Sequence, residues 1–232
     1  MNRILLNIII CTGLMLPAEA LALTVSNPAP GALADAVGAD TTATTLTVNG
    51  GAVNAADFAF IADKMHRLES LDLSSTSIAS YAGSTIRMTG VKKSDADVLP
   101  PYALIGMKFL SSVSLPKNLT AIGQGAFTGS AIATADVPAK VTSIGENAFR
   151  RCENLTEVTL PASLSALCAG AFANCSALKT VTFASGTPLT RLPESAFEGC
   201  VALDKINLNA LKACTEIGPW AVAHCRSLTA IE

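Results

Sequence analysis

The chain has 232 residues, 50% of them hydrophobic and 15% charged, which is enough apolar material for a continuous core and excludes a disordered polymer. Its formal net charge of −2 gives no general attraction to phosphate backbones or anionic lipid. No basic run is interleaved with aromatics, so the sequence argues against a nucleic-acid partner.

At the N-terminus, Arg3 precedes the apolar run "ILLNIIICTGLMLP", and small residues follow in "AEALA". This pattern predicts a secretory signal peptide over residues 1–20, cleaved after Ala20 or Ala22. The alternative, a membrane anchor, needs about 20 apolar residues, and this run is shorter and ends at Pro17. A lipid-modified Cys11 would need small residues before it, where Ile8, Ile9 and Ile10 stand. No second stretch is long enough to span, so the mature chain is expected to be exported, either secreted or held at the cell surface, without a membrane span.

The next readable element is "NAADFAFIADKM", a short amphipathic helix with Asn54 at its N-cap. With "MHRLESLDLSSTSI" after it, residues 21–78 read as an N-terminal helical cap and a first repeat turn. Residues 79–98, "ASYAGSTIRMTGVKKSDADV", share no register with their surroundings and read as an insertion loop. Residues 99–232 are repetitive.

Within them Phe127, Phe149, Phe172, Phe197 and Val222 occupy one position, each directly preceded by alanine. Ile122, Ile144, Leu167, Leu192 and Ile217 lie five residues earlier, and Ile132, Leu155, Leu178, Leu203 and Leu228 five or six later. A period of 20 to 29 residues with a Leu-x-x-Leu-x-Leu-like core marks a leucine-rich repeat solenoid. The expected fold is therefore strand-rich α/β, with a parallel concave sheet of short strands and about six to seven turns. One repeat cannot bury its own apolar edge, so stability resides in the interfaces between turns. The array stops at Ala230-Ile231-Glu232, just inside a strand phrase, and reads as truncated there.

"IGENAFRRCENLTEVTLPASL" and its copies resemble the BspA-like leucine-rich repeat surface proteins of bacteria, closely over 99–232 and loosely over 46–78. That resemblance implies an exported protein, often at the cell surface, adhering to host proteins or to other cells. Ser130 in place of cysteine, Val222 in place of phenylalanine, and Cys168 and Pro193 in place of glycine depart from the pattern. A fold with many unrelated partners leaves the ligand open.

Cys152, Cys175, Cys200 and Cys225 share one repeat position, filled in earlier turns by Met65 and Met107. They are expected to be buried free thiols behaving as small hydrophobes, with disulfides as the alternative that export would allow. Cys214 is expected in the core. No Cys-x-x-Cys pair supports a zinc site. His224 beside Cys225 is the only arrangement suggestive of a nucleophile, and the residue types before the other ladder cysteines (Arg151, Asn174, Gly199) show no such demand. "GQGAFTG" lacks the spacing of a phosphate loop, and Asp95 and Asp97 lack the full calcium-loop pattern. The chain is read as a non-enzyme with no metal and no cofactor.

If "LTEVTLP" is the strand, alternate residues face the concave side. The candidate ligand-binding residues are Asp136, Glu157, Thr159, Lys179, Thr182, Asp204, Lys205 and Asn207. Six strands about 4.8 Å apart, each showing three residues, give a patch on the order of 300 Å², below the ~800 Å² of a standard partner footprint. Weak contact multiplied by clustered display is the consistent mode. The leading expectation is a monomeric module binding a protein ligand, of the host extracellular matrix or a bacterial surface. The alternative is a non-catalytic spacer displaying another domain.

Overall fold

Small and apolar side chains alternate along short stretches of this chain, and each such stretch forms one strand of a solenoid. The computed structural model describes residues 21–86 and 89–231, so the signal-peptide segment 1–20 lies outside the described residues. One face carries nine strands: β1 (Ala22–Ser26), β2 (Thr45–Asn49), β3 (Ser70–Asp72), β4 (Ser112–Ser114), β5 (Thr134–Asp136), β6 (Glu157–Leu160), β7 (Thr180–Phe183), β8 (Lys205–Ile206) and β9 (Ala230–Ile231). All pair in parallel, β1 to β4 as one sheet and β5 to β9 as a second. Leu46, Leu71, Val158, Val181 and Ile206 point inward and are buried, because successive strand residues face opposite ways.

Each turn returns through a second ladder of two-residue strands. Val98–Leu99, Ala121–Ile122, Ser143–Ile144 and Ala166–Leu167 pair in parallel, as Arg191–Leu192 does with Glu216–Ile217. Gly145 follows one of them, and a Cβ there would lie 2.6 Å from the Gln124 nitrogen. The turns pack too closely at that point for any side chain.

Between the two ladders the Ala-Phe pair turns inward. Phe127, Phe149, Phe172 and Phe197 form an internal stack, with centroids 4.9, 4.9 and 5.3 Å apart and planes within 9°. The spacing follows the strand-to-strand distance of about 4.8 Å. Each phenylalanine N–H donates to the alanine carbonyl one turn on, as Phe149 does to Ala171 at 2.7 Å and Phe172 to Ala196 at 2.9 Å. In the other direction, Cys152, Cys175, Cys200 and Cys225 donate their thiols to the carbonyls of Phe127, Phe149, Phe172 and Phe197 at 3.0–3.2 Å. The six described cysteines are free. Met65 and Met107 are buried in the two earlier turns, as the repeat register anticipates.

The N-terminal part differs from the sequence expectation. Helix α2 (Ala55–Lys64) is present and Asn54 caps it, accepting from the Ala56 N–H at 2.9 Å. It does not begin the array, however. β1, the short helix α1 (Leu33–Val37) and β2 precede it, and β1 pairs with β2 over five residues. The solenoid thus has about eight turns. Asp57 ties these parts together: its buried carboxylate accepts from the N–H groups of Gly31, Leu33 and Asn54 at 2.7–2.8 Å. Within the stretch 79–98, Tyr81–Ala82 runs antiparallel to Lys93–Ser94 as a small hairpin, and the chain has rejoined the second ladder by Val98. The Asp97 carboxylate accepts from the Asn118 side-chain amide, so that group is already engaged.

Phe172 is fully buried in mid-stack. Phe172→Ala is expected to cost about 3–5 kcal/mol, the range for truncating a core phenylalanine. Urea melts of the variant and the parent measure the difference, and coincident midpoints would mean that the stack does not hold the turns.

Candidate functional site

On the strand face the outward positions align in rows across the register. One row reads Thr45, Ser70 and Ser112, then Thr134, Glu157, Thr180 and Lys205; the next reads Thr47, Asp72 and Ser114, then Asp136, Thr159 and Thr182. Most of these are hydroxyl residues. The surface is polar and shallow, with no aromatic side chain in either row.

The structure divides the residues predicted for this face into three groups. Asp136, Glu157, Thr159 and Lys205 stand exposed on strands, with Thr182 partly covered among its neighbours. Lys179 and Asp204 lie one residue before β7 and β8, exposed at the rim where their N–H groups continue the ladder to Thr156 and Lys179. Asn207 serves the sheet instead. Its side-chain oxygen accepts from the Phe183 N–H at 2.7 Å and its amide donates to the Phe183 carbonyl at 3.0 Å. With both ends engaged, it completes the pairing of β7 and β8.

One feature of the face was not anticipated from sequence. Between β4 and β5 the strand pairing is interrupted, and the two are joined only below, where the Ala133 N–H donates to the Ser111 carbonyl at 3.0 Å. The signal for it is visible in retrospect. Five residues separate Phe127 from Ile132, where six separate Phe149 from Leu155 and Phe172 from Leu178. β5 nevertheless starts in step with β4, since the Ala133–Ser111 bond repeats those of Ser111 to Glu69 and Thr156 to Ala133; the pairing is lost only beyond it. Ala135 also fills a slot held by leucine, valine or isoleucine in other turns, so less side chain closes the gap.

At this seam Val113 and Ala135 are only partly covered. A pit of about 10 Å³ opens between them and reaches Phe127 and Phe149, the interior stack itself. Beside it runs a groove of about 690 Å³, floored by Val113, Leu115, Val137, Pro138 and Pro161 and edged by Asp136, Thr159 and Lys117. Its volume falls in the roughly 300–1,000 Å³ range of ligand clefts. Two of the predicted residues, Asp136 and Thr159, line it; Glu157, Lys179, Thr182, Asp204 and Lys205 do not.

The geometry does not assemble a Cys-His pair. His224 is exposed in a left-handed turn at φ 60°, while the Cys225 thiol donates to Phe197. The residues before the other ladder cysteines share that conformation: Arg151, Asn174 and Gly199 have φ of 56°, 61° and 71°. The position therefore selects for backbone tolerance, which glycine and asparagine meet most easily. Among the described residues no group of three or more His, Cys, Asp or Glu is placed to hold a metal ion.

The thiols differ in environment. Burial pushes the Cys175 thiol well above its usual range, and the neighbouring Cys152 and Cys200 thiols add to the shift. Burial likewise raises Cys168, with Glu146 adding to the effect, and pushes Cys225 up to about 11. Cys225 and Cys214 are only partly covered, however. The expectation of core placement is thus met by Cys152, Cys175 and Cys200, while Cys214 and Cys225 are partly covered and pack against the core from its edge.

A model of the BspA type leucine rich repeat region matches six copies in the chain, over residues 44–156 and 97–229. None of the curated proteins matches the sequence. Among solved structures, a leucine-rich repeat protein from Bacteroides ovatus is 19% identical with a TM-score of 0.57, over 80% of this chain and 42% of that one. The T. pallidum leucine-rich repeat protein is also 19% identical with a TM-score of 0.57, over 92% of this chain and 90% of its own. The chain thus spans less than half the length of the first and most of the second; both likenesses speak to the fold.

Native alkylation followed by mass mapping is expected to label Cys214, Cys168 and Cys225 before Cys152, Cys175 and Cys200, with all six of these thiols modified on denaturation. The raised folded values also set a pH dependence. Below the ordinary value of 9 both states carry neutral thiols and the contribution is whole; above it the unfolded chain loses protons first. Thermal midpoints should therefore fall as pH rises from 9 toward 11, and less so in Cys225→Ala. A flat midpoint across that window, or early labelling of Cys175, would contradict the assignment.

Proposed function

The chain belongs to the BspA-type leucine-rich repeat family, and from that premise we propose that it is an exported, non-catalytic binding module whose strand face engages a protein ligand of a host matrix or a bacterial surface. Leucine-rich repeat folds serve generally as protein-interaction scaffolds, with an extended face formed by stacked repeats. The observation that carries the reading is that face itself: nine parallel strands, rows of small polar side chains, and a cleft along the strand ends.

Magnitude favours clustered display. Nine strands about 4.8 Å apart, each showing three residues, give on the order of 400 Å². That remains below the ~800 Å² of a standard footprint, even with β1, β2 and β9 added to the six strands counted from sequence. One copy therefore binds weakly, and linked or immobilised copies gain by effective concentration. No described helix is long and apolar enough to cross a membrane. Export and the single-copy state belong to the same proposal and rest on the leader-like segment and on the family.

Protein immobilised at high and low density tests this against matrix proteins and bacterial cells. Retention is expected at high density and to fall by at least about tenfold at low density. Replacing Glu157, Lys179 and Lys205 together by alanine alters exposed positions only, so the urea midpoint should stay in place while retention falls. Retention unchanged by the triple variant, with deletion of residues 79–98 also silent, would favour a spacer.

A further inference from the structure

The side of the solenoid that carries the Ala-Phe pair outlines a polar trough away from the strand face. Backbone bonds between turns align its outward residues in rows. The carbonyls of Glu146, Ala169 and Glu194 accept from Gly125, Asn147 and Gly170, and those of Arg150, Ala173 and Glu198 accept from Gly129, Arg151 and Asn174. In each row an alanine stands between two long polar side chains. Gly170 lies between the two alanines, and with so little side chain on this middle turn a space of about 360 Å³ opens over it. That falls within the roughly 300–1,000 Å³ of ligand sites. Its walls are two turns apart, about 10 Å at a rise of ~4.8 Å each.

The walls differ in chemistry. On one, the Asn147 side chain donates to the Glu146 carboxylate at 3.1 Å and accepts from the Arg150 guanidinium at 3.4 Å, so the three brace one another while the guanidinium keeps donors to spare. Asn147 also leans over the floor, where a Cβ on Gly170 would lie 2.5 Å from its Oδ1. The other wall carries Glu194, Ser195 and Glu198. Neither of the two ion pairs among the described residues involves Arg150, Glu194 or Glu198, so donors and acceptors face each other across the floor. A lone cation would satisfy only the carboxylates, and a lone anion only Arg150. Hydroxyl groups donate and accept at once, and the methyl groups of Ala169 and Ala173 on the floor offer apolar surface to the C–H face of a sugar ring.

We propose that this trough binds a neutral oligosaccharide, with about one or two sugar units in contact. Its hydroxyls donate to Glu194 and Glu198 and accept from Arg150. The site is separate from the strand face and goes beyond the protein-binding role of that face, on which it does not depend.

Proton–nitrogen NMR spectra recorded with cellotetraose, maltotetraose and chitotetraose test it. At least one of the three is expected to shift the Gly170 backbone amide and the Asn147 and Asn174 side-chain amides, with a dissociation constant on the order of 1 mM. Salt should change this little, because the ligand carries no charge. Gln124 and Glu146 occupy the row of Ala169 in the two preceding turns, so Ala169→Gln fills the floor with a side chain that the array already accommodates. The shifts should then disappear. Arg150→Ala, at an exposed position, should weaken binding by about tenfold, and it serves alone if Ala169→Gln lowers the urea midpoint. Replacing Glu157, Lys179 and Lys205 on the strand face should leave sugar binding in place, which separates this site from that one. No shift with any of the three sugars at about ten times the expected constant overturns the proposal. Equal binding by the parent and a folded Ala169→Gln or Arg150→Ala variant overturns it too, as does a larger response to tetralysine than to every sugar.

Discussion

Each inward-turning phenylalanine carbonyl in the middle of this molecule accepts two donors, one from its own turn and one from the next. Phe149 shows the arrangement: its carbonyl receives the Cys152 N–H at 3.1 Å and the Cys175 thiol at 3.0 Å, while its own N–H goes to Ala171. A buried carbonyl left unpaired costs about 1–3 kcal/mol, and a thiol is compact enough to reach one without displacing the ring stack. Cysteine is therefore retained as a small apolar donor. The same residue that supplies the ring supplies both backbone links, which is why alanine must precede it: Ala148, Ala171 and Ala196 are wholly buried against the adjoining turn.

That constraint fixes the rise per turn and lets the strand face vary. With the interior holding the spacing, the outward residues need only be compatible with a parallel sheet, and threonine and serine suit it. The face can then carry function through its exceptions. The principal exception is the turn from Phe127 to Asp136, where one residue fewer, Ser130 in place of cysteine and Ala135 in place of a larger aliphatic residue coincide. The interior links nevertheless continue from the β4 turn to the β5 turn, where the N–H groups of Leu104 and Gly106 donate to Ala126 and Thr128 at 2.7 and 2.8 Å, while the sheet above them parts.

Much of this architecture is legible in sequence because it is periodic. The Ala-Phe pair, the cysteine ladder and the strand phrase announce the solenoid, and Asn54 announces its helix. The first two strands are harder to see. "ALTVS" and "TLTVN" alternate correctly, but the Ala-Phe phrase does not accompany them, so they read as part of a cap. Asn207 looks like any outward strand residue, and only the pairing of its amide with Phe183 shows it to be structural. The seam is harder still: a one-residue deletion and a single alanine resemble ordinary drift between repeats until their joint effect on strand pairing is seen in three dimensions. Cys214 and Cys225 misled for another reason. Repeat register places both at core positions, yet both are only partly covered.

Native-state hydrogen exchange tests most directly whether the phenylalanine link, and not the strand face, holds the array together. The amides of Phe149 and Phe172, bound to Ala171 and Ala196, are predicted to be among the most protected in the molecule. Those of Thr134 and Asp136 at the seam should exchange much earlier through local opening. Exchange at Phe149 and Phe172 as fast as at Thr134 and Asp136 would contradict the account.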